Sequence, residues 1–308
     1  MFGYFVRRLV MLLPVFLAMS AIVFMIVHFV PGDPIDHMLQ IGSSAERRTE
    51  LAAKYGLDRP LVIQYFYWLK AALGGDLGEA IVLKQPVLDL ILANLPYSLA
   101  LGLSALAFST VVGVTVGSIA AYFAGSWFDR SVMAGILMGS MLPSFWLGLL
   151  LILVFAVQLG LFPVSGARSW DALVLPVLTI GIGGVALIAR VTRAAFVEVA
   201  QQDFVTLLHA EGMTRGRIFF RHLVRHALMP VVTILGLKVG WILGGAVTVE
   251  FVFARPGLGS LLITSLGQRD YPVVQGCLLM LGIGVMLGTL LGDIAQAAMD
   301  PRVRDRMS

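Results

Sequence analysis

Long uncharged stretches alternate along this chain with short segments that hold most of its charged residues. A helix needs about 20 apolar residues to cross the hydrocarbon core of a membrane, and six stretches reach or approach that length. Five of them contain no Asp, Glu, Lys or Arg, and the sixth, Ala227–Val249, contains only Lys238. The uncharged five are Leu9–Val30, Leu90–Phe128, Ser131–Ala167, Ala172–Ala189 and Tyr271–Gly292. We therefore predict an all-α membrane protein with six transmembrane helices, at about 9–30, 97–124, 132–160, 173–195, 228–253 and 273–297.

The composition agrees with a surface that mostly faces lipid. The chain is 58% hydrophobic and only 13% charged, whereas a soluble domain has roughly 25% charged residues. The net charge of +4 does not require a nucleic-acid partner, because membrane proteins keep Lys and Arg in their cytoplasmic loops. Cys277 is the single cysteine, which excludes an internal disulfide, and its place in the last apolar stretch predicts a buried hydrophobic residue.

The arginines predict which side of the membrane each segment occupies. One side of the predicted spans would hold twelve and the short loops of the other side three, so both termini and the 190–226 segment are expected in the cytoplasm. Arg7 and Arg8 before an apolar stretch resemble a secretory signal, but Pro31–Pro34 follows it instead of a small-x-small cleavage site. We interpret this stretch as a retained first span. The two sets are Arg7, Arg8, Arg130, Arg190, Arg193, Arg215, Arg217, Arg221, Arg225, Arg302, Arg304 and Arg306, against Arg168, Arg255 and Arg269.

The pattern divides the chain into four regions. These are an N-terminal transmembrane helix (1–30), an external insertion (31–96), a core of five transmembrane helices (97–301) and a cytoplasmic tail (302–308). Within the insertion we expect a rigid turn at Pro31–Pro34, a short polar helix at Ser43–Gly56 and an aromatic amphipathic helix at Leu61–Leu73. Together these elements predict a small ordered cap over the outer face.

The segment HAEGMTRGRIFFRHLVRHALMP, residues 209–230, carries the densest charge between two spans. An amphipathic stretch, Ala194–Leu208, precedes it, and Gly212 should end that helix because glycine is a poor interior residue and a good terminator. Thr214 can cap a second helix that runs to Leu228. The second helix has an apolar stripe, and the result is a helix–turn–helix elbow below the membrane. The stripe consists of Phe219, Phe220, Leu223, Val224 and Ala227.

Signatures of an enzyme are absent from the sequence. There is no GxxxxGK[ST] and no GxGxxG after a strand, so the chain is not expected to bind ATP itself. His222 and His226 share a helical face, but the Glu of HExxH is missing and Arg225 would repel a cation. Lys238 is the only ionisable residue deep in a predicted span, which is weak support for an ion-coupled carrier. The sequence predicts a transport subunit with no catalytic residue, cofactor or metal of its own, and leaves the carrier as a remote alternative.

Short motifs follow one another in order along nearly the whole chain. They are PGDP at 31–34, GDLG at 75–78, QPV at 85–87, LPSFW at 142–146, AEGM at 210–213, VEFVFARPGLG at 249–259, RDYPVVQG at 269–276 and DPRVR at 300–304. This ordered set resembles the permease subunits of binding-protein-dependent ABC importers, above all the dipeptide/oligopeptide/nickel branch. The Glu-Ala-Ala of that family's cytoplasmic EAA loop is replaced here by Thr206, Leu207 and Leu208.

The resemblance implies the type I ABC importer permease fold, with an EAA-like loop at 196–229. It implies a second homologous permease subunit, two ABC ATPase subunits that bind ATP and Mg²⁺, and a periplasmic or lipid-anchored substrate-binding protein. The short helix around Phe204–Thr214 would be a coupling helix seated in an ATPase. Its expected contact residues are Asp203, Ala210, Glu211, Gly212 and Met213. Candidate pathway residues are Ser140, Met141, Ser144, Trp146, Lys238 and Trp241, for each of which ordinary helix packing is an equal explanation.

The expected function is therefore transport of a peptide-like substrate across a bacterial inner membrane by alternating access. Di- or oligopeptides are the leading candidates for this substrate. Nickel, metal chelates and glutathione remain alternatives, because very similar permeases of this branch transport them. Specificity would reside largely in the separate binding protein, which this chain does not encode.

Overall fold

The computed structural model describes residues 2–29 and 59–299. Within these residues the regular structure is helical, apart from an isolated bridge between Glu79 and Pro86. The predicted turn at Pro31–Pro34, the predicted helix at Ser43–Gly56 and the tail at 302–308 lie outside the described residues. The first half contains α1 (Phe2–Phe29), α2 (Leu61–Leu73), α3 (Val87–Tyr122), α4 (Trp127–Ser140), α5 (Ser144–Leu151, continued by π-helical Ile152–Gln158) and α6 (Val174–Ala200).

The second half begins with the predicted elbow and ends with a long helix. Its elements are α7 (Asp203–Ala210), α8 (Arg215–Ile218), a π-helical turn (Phe219–Leu223), α9 (Val224–Ala227), α10 (Met229–Val239), α11 (Val247–Val252), α12 (Leu258–Gly267) and α13 (Tyr271–Met299). The second span was expected to start at 97, but α3 starts at Val87 and contains Pro96. Pro86 precedes α3 with φ −56° and provides the real start, because a proline's fixed φ suits a helix entrance.

Four of the described helices, α1, α3, α6 and α13, include segments long and apolar enough to cross a membrane alone. Two bent pairs add to them: α4 meets α5 at 100°, and α10 meets the Gly244–Val252 segment at 74°. Counting each pair as one span gives the predicted six. The prediction of continuous helices over 132–160 and 228–253 is wrong.

Local chemistry explains both breaks. Pro143 lacks an N–H group and restricts the residue before it, so α4 cannot continue through Met141–Pro143. The second break coincides with Gly240, Gly244 and Gly245, and each glycine lowers the stability of a helix interior by about 1 kcal/mol relative to alanine. The length and apolarity of a stretch, on which the six-span prediction rests, do not report such breaks.

The most extensive helix contact in the fold joins α3 to α6. A β-carbon added at Gly117 of α3 would lie 2.5 Å from the carbonyl oxygen of Ala189. In the opposite direction, Gly184 of α6 leaves room for the side chain of Ser109, and the Ser109 hydroxyl donates to the carbonyl of Gly181 at 3.0 Å. Small residues allow this close approach of two backbones, which strengthens van der Waals contact inside a membrane.

A second close pair consists of α10 and α13. The backbones of Gly236 and Gly292 touch so closely that a β-carbon on either would collide with the other. Helix α1 packs on the outside of α13, where Arg8 and Asp293 form an ion pair at 3.2 Å. The N-terminal helix is therefore attached to the core mainly through α13.

On the predicted external side, polar contacts hold short elements to the core. The Tyr65 hydroxyl of α2 lies 2.8 Å from the Ser20 hydroxyl of α1, so the aromatic helix predicted at Leu61–Leu73 is present and packs on the first span. The N–H of Val82 donates to the buried carboxylate of Asp270 at 2.9 Å. This bond joins the turn before α3 to the start of α13.

The VEFVFARPGLG motif forms the connection between α11 and α12. The buried Glu250 carboxylate accepts from the N–H of Gly259 at 2.8 Å and of Ser260 at 3.3 Å. These are donors of the first turn of α12, which would otherwise lack partners. The N–H of Leu258 donates to the Ser98 hydroxyl of α3 at 2.8 Å. The motif is therefore a structural clamp that fixes the start of α12 to α3.

We predict that Gly117→Ala destabilises the protein and that Gly135→Ala does not. Overpacking at the α3–α6 contact should cost about 1–3 kcal/mol. In contrast, Gly135 has open space around its α-carbon and lies inside α4, where alanine is the better helix former by about 1 kcal/mol. Thermal unfolding of the detergent-purified variants measures the difference. Equal Tm values for the two variants would contradict the close packing described for α3 and α6.

Candidate functional site

Helix α7 ends in a glycine turn that reverses the chain. Gly212 has φ +80°, the left-handed region that favours glycine. Its N–H donates to the carbonyl of His209 at 3.0 Å, and the N–H of Met213 donates to the carbonyl of Leu208 at 3.1 Å. This is the Schellman arrangement, in which apolar side chains on both sides of the turn come together. Leu208 and Met213 indeed pack against the same hydrophobic cluster, so the turn has a defined geometry.

That cluster, here called the elbow core, lies between α7, the helices after the turn and the ends of α3 and α6. The Phe196 and Phe219 rings stack in it at 4.8 Å. The predicted stripe is correct except at Phe220, whose side chain is 74% exposed. A π-helical turn spans Phe219–Leu223, and its wider winding changes which residues face inward. The buried members of the elbow core are Ala121, Ala195, Phe196, Val199, Val205, Ile218, Phe219, Leu223 and Ala227.

Polar contacts attach the elbow to the end of α3. The guanidinium of Arg215 donates to the carbonyl of Tyr122 at 2.7 Å and lies over the Tyr122 ring at 5.1 Å. The same ring meets Phe219 edge-on at 5.2 Å. Arg215 thus binds a carbonyl that the end of α3 leaves without a helical partner. The sequence pattern identified this arginine only as a marker of orientation in the membrane.

A buried ion pair fixes the neighbouring end of α4. Arg193 of α6 donates to both carboxylate oxygens of Asp129, at 2.5 and 2.6 Å, and Asp129 is only 1% exposed. The same carboxylate accepts from the N–H of Gly125 at 3.0 Å. Bidentate pairs of this kind are strong and directional. The α3–α4 turn and α6 are therefore held together next to the elbow, a feature that the sequence alone did not predict.

One side of α7 faces away from the elbow core. This exposed side, here called the docking face, consists of Asp203, Thr206, Leu207, Ala210 and Glu211. The Leu207 side chain is 60% exposed, an unusual position for a leucine beside a well-packed apolar cluster. Gly212 is exposed beside the docking face, and no other part of the described chain lies within 4 Å of a β-carbon added there.

The predicted coupling residues therefore fall into two groups. Asp203, Ala210, Glu211 and Gly212 are exposed, whereas the Met213 side chain packs into the elbow core. Met213 helps to hold α7 in place and does not belong to the surface. Leu207, which the sequence indicated only as a departure from Glu-Ala-Ala, is an exposed member of the docking face.

A cavity of about 250 Å³ lies where the two bent spans approach α6. The break between α4 and α5 contributes Ser140 and Ser144, and α6 contributes Thr179 and Gly183. Its lining has no charged side chain, since the remaining residues are Gly139, Leu142, Leu147, Ile180 and Gly245. Interrupted helices commonly line the binding sites of membrane transporters. Two of the six predicted pathway residues, Ser140 and Ser144, thus line this cavity.

The other four predicted pathway residues surround the breaks without lining the cavity. Met141, Trp146 and Trp241 are exposed. Lys238 is half-buried near the end of α10. Its ammonium nitrogen lies 3.8 Å from the position that a β-carbon on Gly184 would take, next to the cavity-lining Gly183.

Comparison with known proteins places these features in a wider group. Residues 113–305 match the family model for the binding-protein-dependent transport system inner membrane component. Residues 1–102 match the model for the N-terminal part of such membrane components. The glutathione transport system permease protein GsiC of Escherichia coli strain K12 is 38% identical over 304 residues, which is 99% of each chain. Its counterpart from Pectobacterium atrosepticum is 39% identical over 306 residues, again 99% of each chain.

Solved structures resemble the fold more distantly. The inward-facing MetNI methionine ABC transporter includes a chain that matches with a TM-score of 0.59 and 22% identity, over 68% of this chain and 96% of that one. An amino acid ABC transporter crystallised with histidines matches with a TM-score of 0.52 and 16% identity, over 68% and 94%. These likenesses concern the fold alone.

We predict that Gly212→Ala loosens the end of α7, whereas Gly216→Ala does not. Both glycines have open space around them, but only Gly212 has a positive φ, which costs a residue with a β-carbon about 1–2 kcal/mol. Hydrogen–deuterium exchange of residues 207–213 should become roughly five- to thirtyfold faster in Gly212→Ala, since about 1.4 kcal/mol is a factor of ten. Unchanged exchange in that variant would refute the glycine cap.

Proposed function

Since the chain belongs to the inner membrane component family of binding-protein-dependent transport systems, we propose that it passes glutathione or a similar small peptide-like solute into the cell. It is an ABC importer permease and not an enzyme, because ATP hydrolysis in such systems occurs in partner subunits. The family also implies a substrate-binding protein and ATPase subunits as partners.

The identity of the transported solute is the most specific part of this proposal. The relatives compared are named as glutathione permeases. Their names favour glutathione, an alternative cargo in the sequence analysis, over ordinary di- and oligopeptides. Glutathione is itself a small peptide with carboxylate groups, so the two classes share their backbone chemistry. The cavity supports a solute of this kind, because the hydroxyls of its lining can bond to the polar groups of a peptide.

We further propose that α7 is the coupling helix and that its docking face binds an ATPase subunit. The observation behind this is that α7 buries one side in the elbow core and exposes Leu207 beside charged Asp203 and Glu211 on the other. An apolar centre with a polar rim is typical of a protein interface. The elbow core and Arg215 would transmit movement of α7 to α3 and α6 as a rigid unit.

The proposed arrangement has both termini and the elbow in the cytoplasm, in agreement with the arginine distribution. A second, homologous permease subunit would complete the pathway at the exposed surface around the two helix breaks. ATP-driven closure of the ATPases would then change the cavity from inward- to outward-facing. Neither ATP nor Mg²⁺ would bind to this chain itself.

Uptake should require the ATPase subunits. In proteoliposomes that contain the permease pair, the ATPases and the binding protein, we expect glutathione uptake that stops when ATP is omitted. Vesicles with the permease chains alone, under an imposed proton or sodium gradient, are the control. Gradient-driven uptake without ATPases would instead support an ion-coupled carrier, and uptake of dipeptides but not glutathione would correct the cargo.

Substitution in the docking face should separate this subunit from its ATPase. We expect Ala210→Arg to abolish co-purification of the ATPase and uptake, because a long charged side chain would replace a small one in the contact. Gln201→Arg places the same side chain in the exposed turn before α7 and serves as the matched control. Ala210 is a cleaner choice than Gly212, where any side chain also strains the backbone. Normal assembly and uptake with Ala210→Arg would refute the assignment of the docking face.

A further inference from the structure

Lys238 stands alone in the middle of the fifth span. It follows the start of α10 by nine residues, or roughly 14 Å at 1.5 Å per residue, about halfway through a hydrocarbon core of about 30 Å. Ala227–Val249 contains no other charged residue. An ionisable side chain at this depth is costly to maintain and usually marks a substrate or ion pathway.

The lysine turns towards the core of the protein. The close approach of its ammonium nitrogen to Gly184 places the charge against α6, beside the Ser109 side chain that contacts the same glycine. Leu237, the preceding residue on α10, is exposed instead. Simple snorkelling to the membrane surface therefore does not account for the direction of the Lys238 side chain.

No acidic side chain of residues 59–299 forms an ion pair with Lys238. The pairs found within the described chain, Arg193 with Asp129 and Arg8 with Asp293, both lie near the ends of their helices. The Ser109 hydroxyl shares its single hydrogen between the carbonyls of Ala105 and Gly181, and as a neutral group it does not balance the charge of an ammonium. The ammonium group thus has three donors and no anionic partner in this part of the chain.

The charge also lies beside the cavity. On α6, Ile180 lines the cavity, and Gly184, which approaches Lys238, lies four residues later on the same face of the helix. On the fifth span, Gly245 lines the cavity and Lys238 lies just before the break that separates α10 from this glycine. Lys238 does not line the cavity itself, but both α6 and the broken fifth span connect its position to this hydroxyl-lined space.

We propose that Lys238 is a transient counter-ion for a carboxylate group of the cargo as it passes the helix breaks. This inference rests on the proposed transport function and adds a chemical class of substrate, namely small solutes with at least one carboxylate. The ammonium group would bind the carboxylate by a charge-assisted hydrogen bond. The hydroxyls of Ser140, Ser144 and Thr179 would bind uncharged polar groups of the same solute. A single cation in a partly aqueous site suits passage, because binding must remain weak enough for release.

The test uses the complete importer in proteoliposomes and follows uptake by mass spectrometry. The probes are glutathione, the dipeptide Ala-Ala and the same two compounds with their carboxylates amidated, each offered with the binding protein. Lys238→Met removes the charge at similar length, Lys238→Arg keeps it, and Leu237→Met is the matched control on the exposed side. Co-purification of all subunits and ATP hydrolysis stimulated by the binding protein are measured in parallel.

We expect Lys238→Met to reduce uptake of the carboxylate probes about tenfold per ATP hydrolysed, the scale of one hydrogen bond to a charged group. Lys238→Arg should stay within about twofold of wild type, and uptake of any amidated probe should not depend on Lys238. Unchanged carboxylate uptake in Lys238→Met would overturn the proposal. An equal loss of uptake for carboxylate and amidated probes would also overturn it, and so would a loss of subunit assembly. Either result would indicate that Lys238 has a structural role or pairs with a residue of the second permease.

If the proposed transport function itself were wrong, the results would differ from those that overturn the role of Lys238. A wild-type importer that takes up none of the probes with ATP, although it assembles, would refute the proposed cargo and the carboxylate class together. A wild-type importer that takes up only amidated probes would refute the role of Lys238 while leaving ATP-driven import intact.

Discussion

The close packing of α3 against α6 is the contact on which the other features depend. The two backbones can approach because Gly117 and Gly184 have no side chain at the points of contact. Within a membrane, apolar burial contributes little to helix association, so such van der Waals contact becomes a principal source of stability. The ends of this pair provide Tyr122 and Phe196 for the elbow core. Its middle provides one wall of the cavity and the surface that Lys238 approaches.

The elbow shares a hydrophobic core with the ends of α3 and α6. A flexible loop would absorb a displacement, whereas the stacked Phe196 and Phe219 rings and the bond from Arg215 to the end of α3 would pass it on to α3 and α6. The Asp129–Arg193 pair extends the same rigid unit to α4. The docking face of α7 is exposed, and the left-handed turn at Gly212 sets the direction of the chain that follows it.

In contrast to the closely packed elbow, the two helix breaks are places where regular helical structure is interrupted. They interrupt the spans at Met141–Pro143 and Gly240–Leu243, and backbone of this kind is tolerated at membrane depth where it lines a cavity. Both breaks adjoin the cavity beside α6. The molecule thus combines closely packed helix pairs with two interrupted spans whose breaks lie at the same cavity. That combination suits a transport pathway in which the closely packed helices move as rigid bodies and the cavity at the breaks changes shape.

The sequence by itself determined the class of protein, the approximate spans, the helix at Leu61–Leu73 and the reversal at Gly212. Each of these depends on local chemistry: the length of an uncharged stretch, the spacing of aromatic residues, or the conformation that only glycine adopts without strain. The ordered motifs also led to the correct family. Tertiary structure alone decided that Phe220 is exposed, that Met213 packs inward while Leu207 faces out, and that Glu250 caps α12. It likewise decided that Ser140 and Ser144 meet Thr179 at a cavity and that Lys238 approaches Gly184. These outcomes depend on which distant helix occupies the neighbouring space, and the periodicity of a single segment does not contain that information.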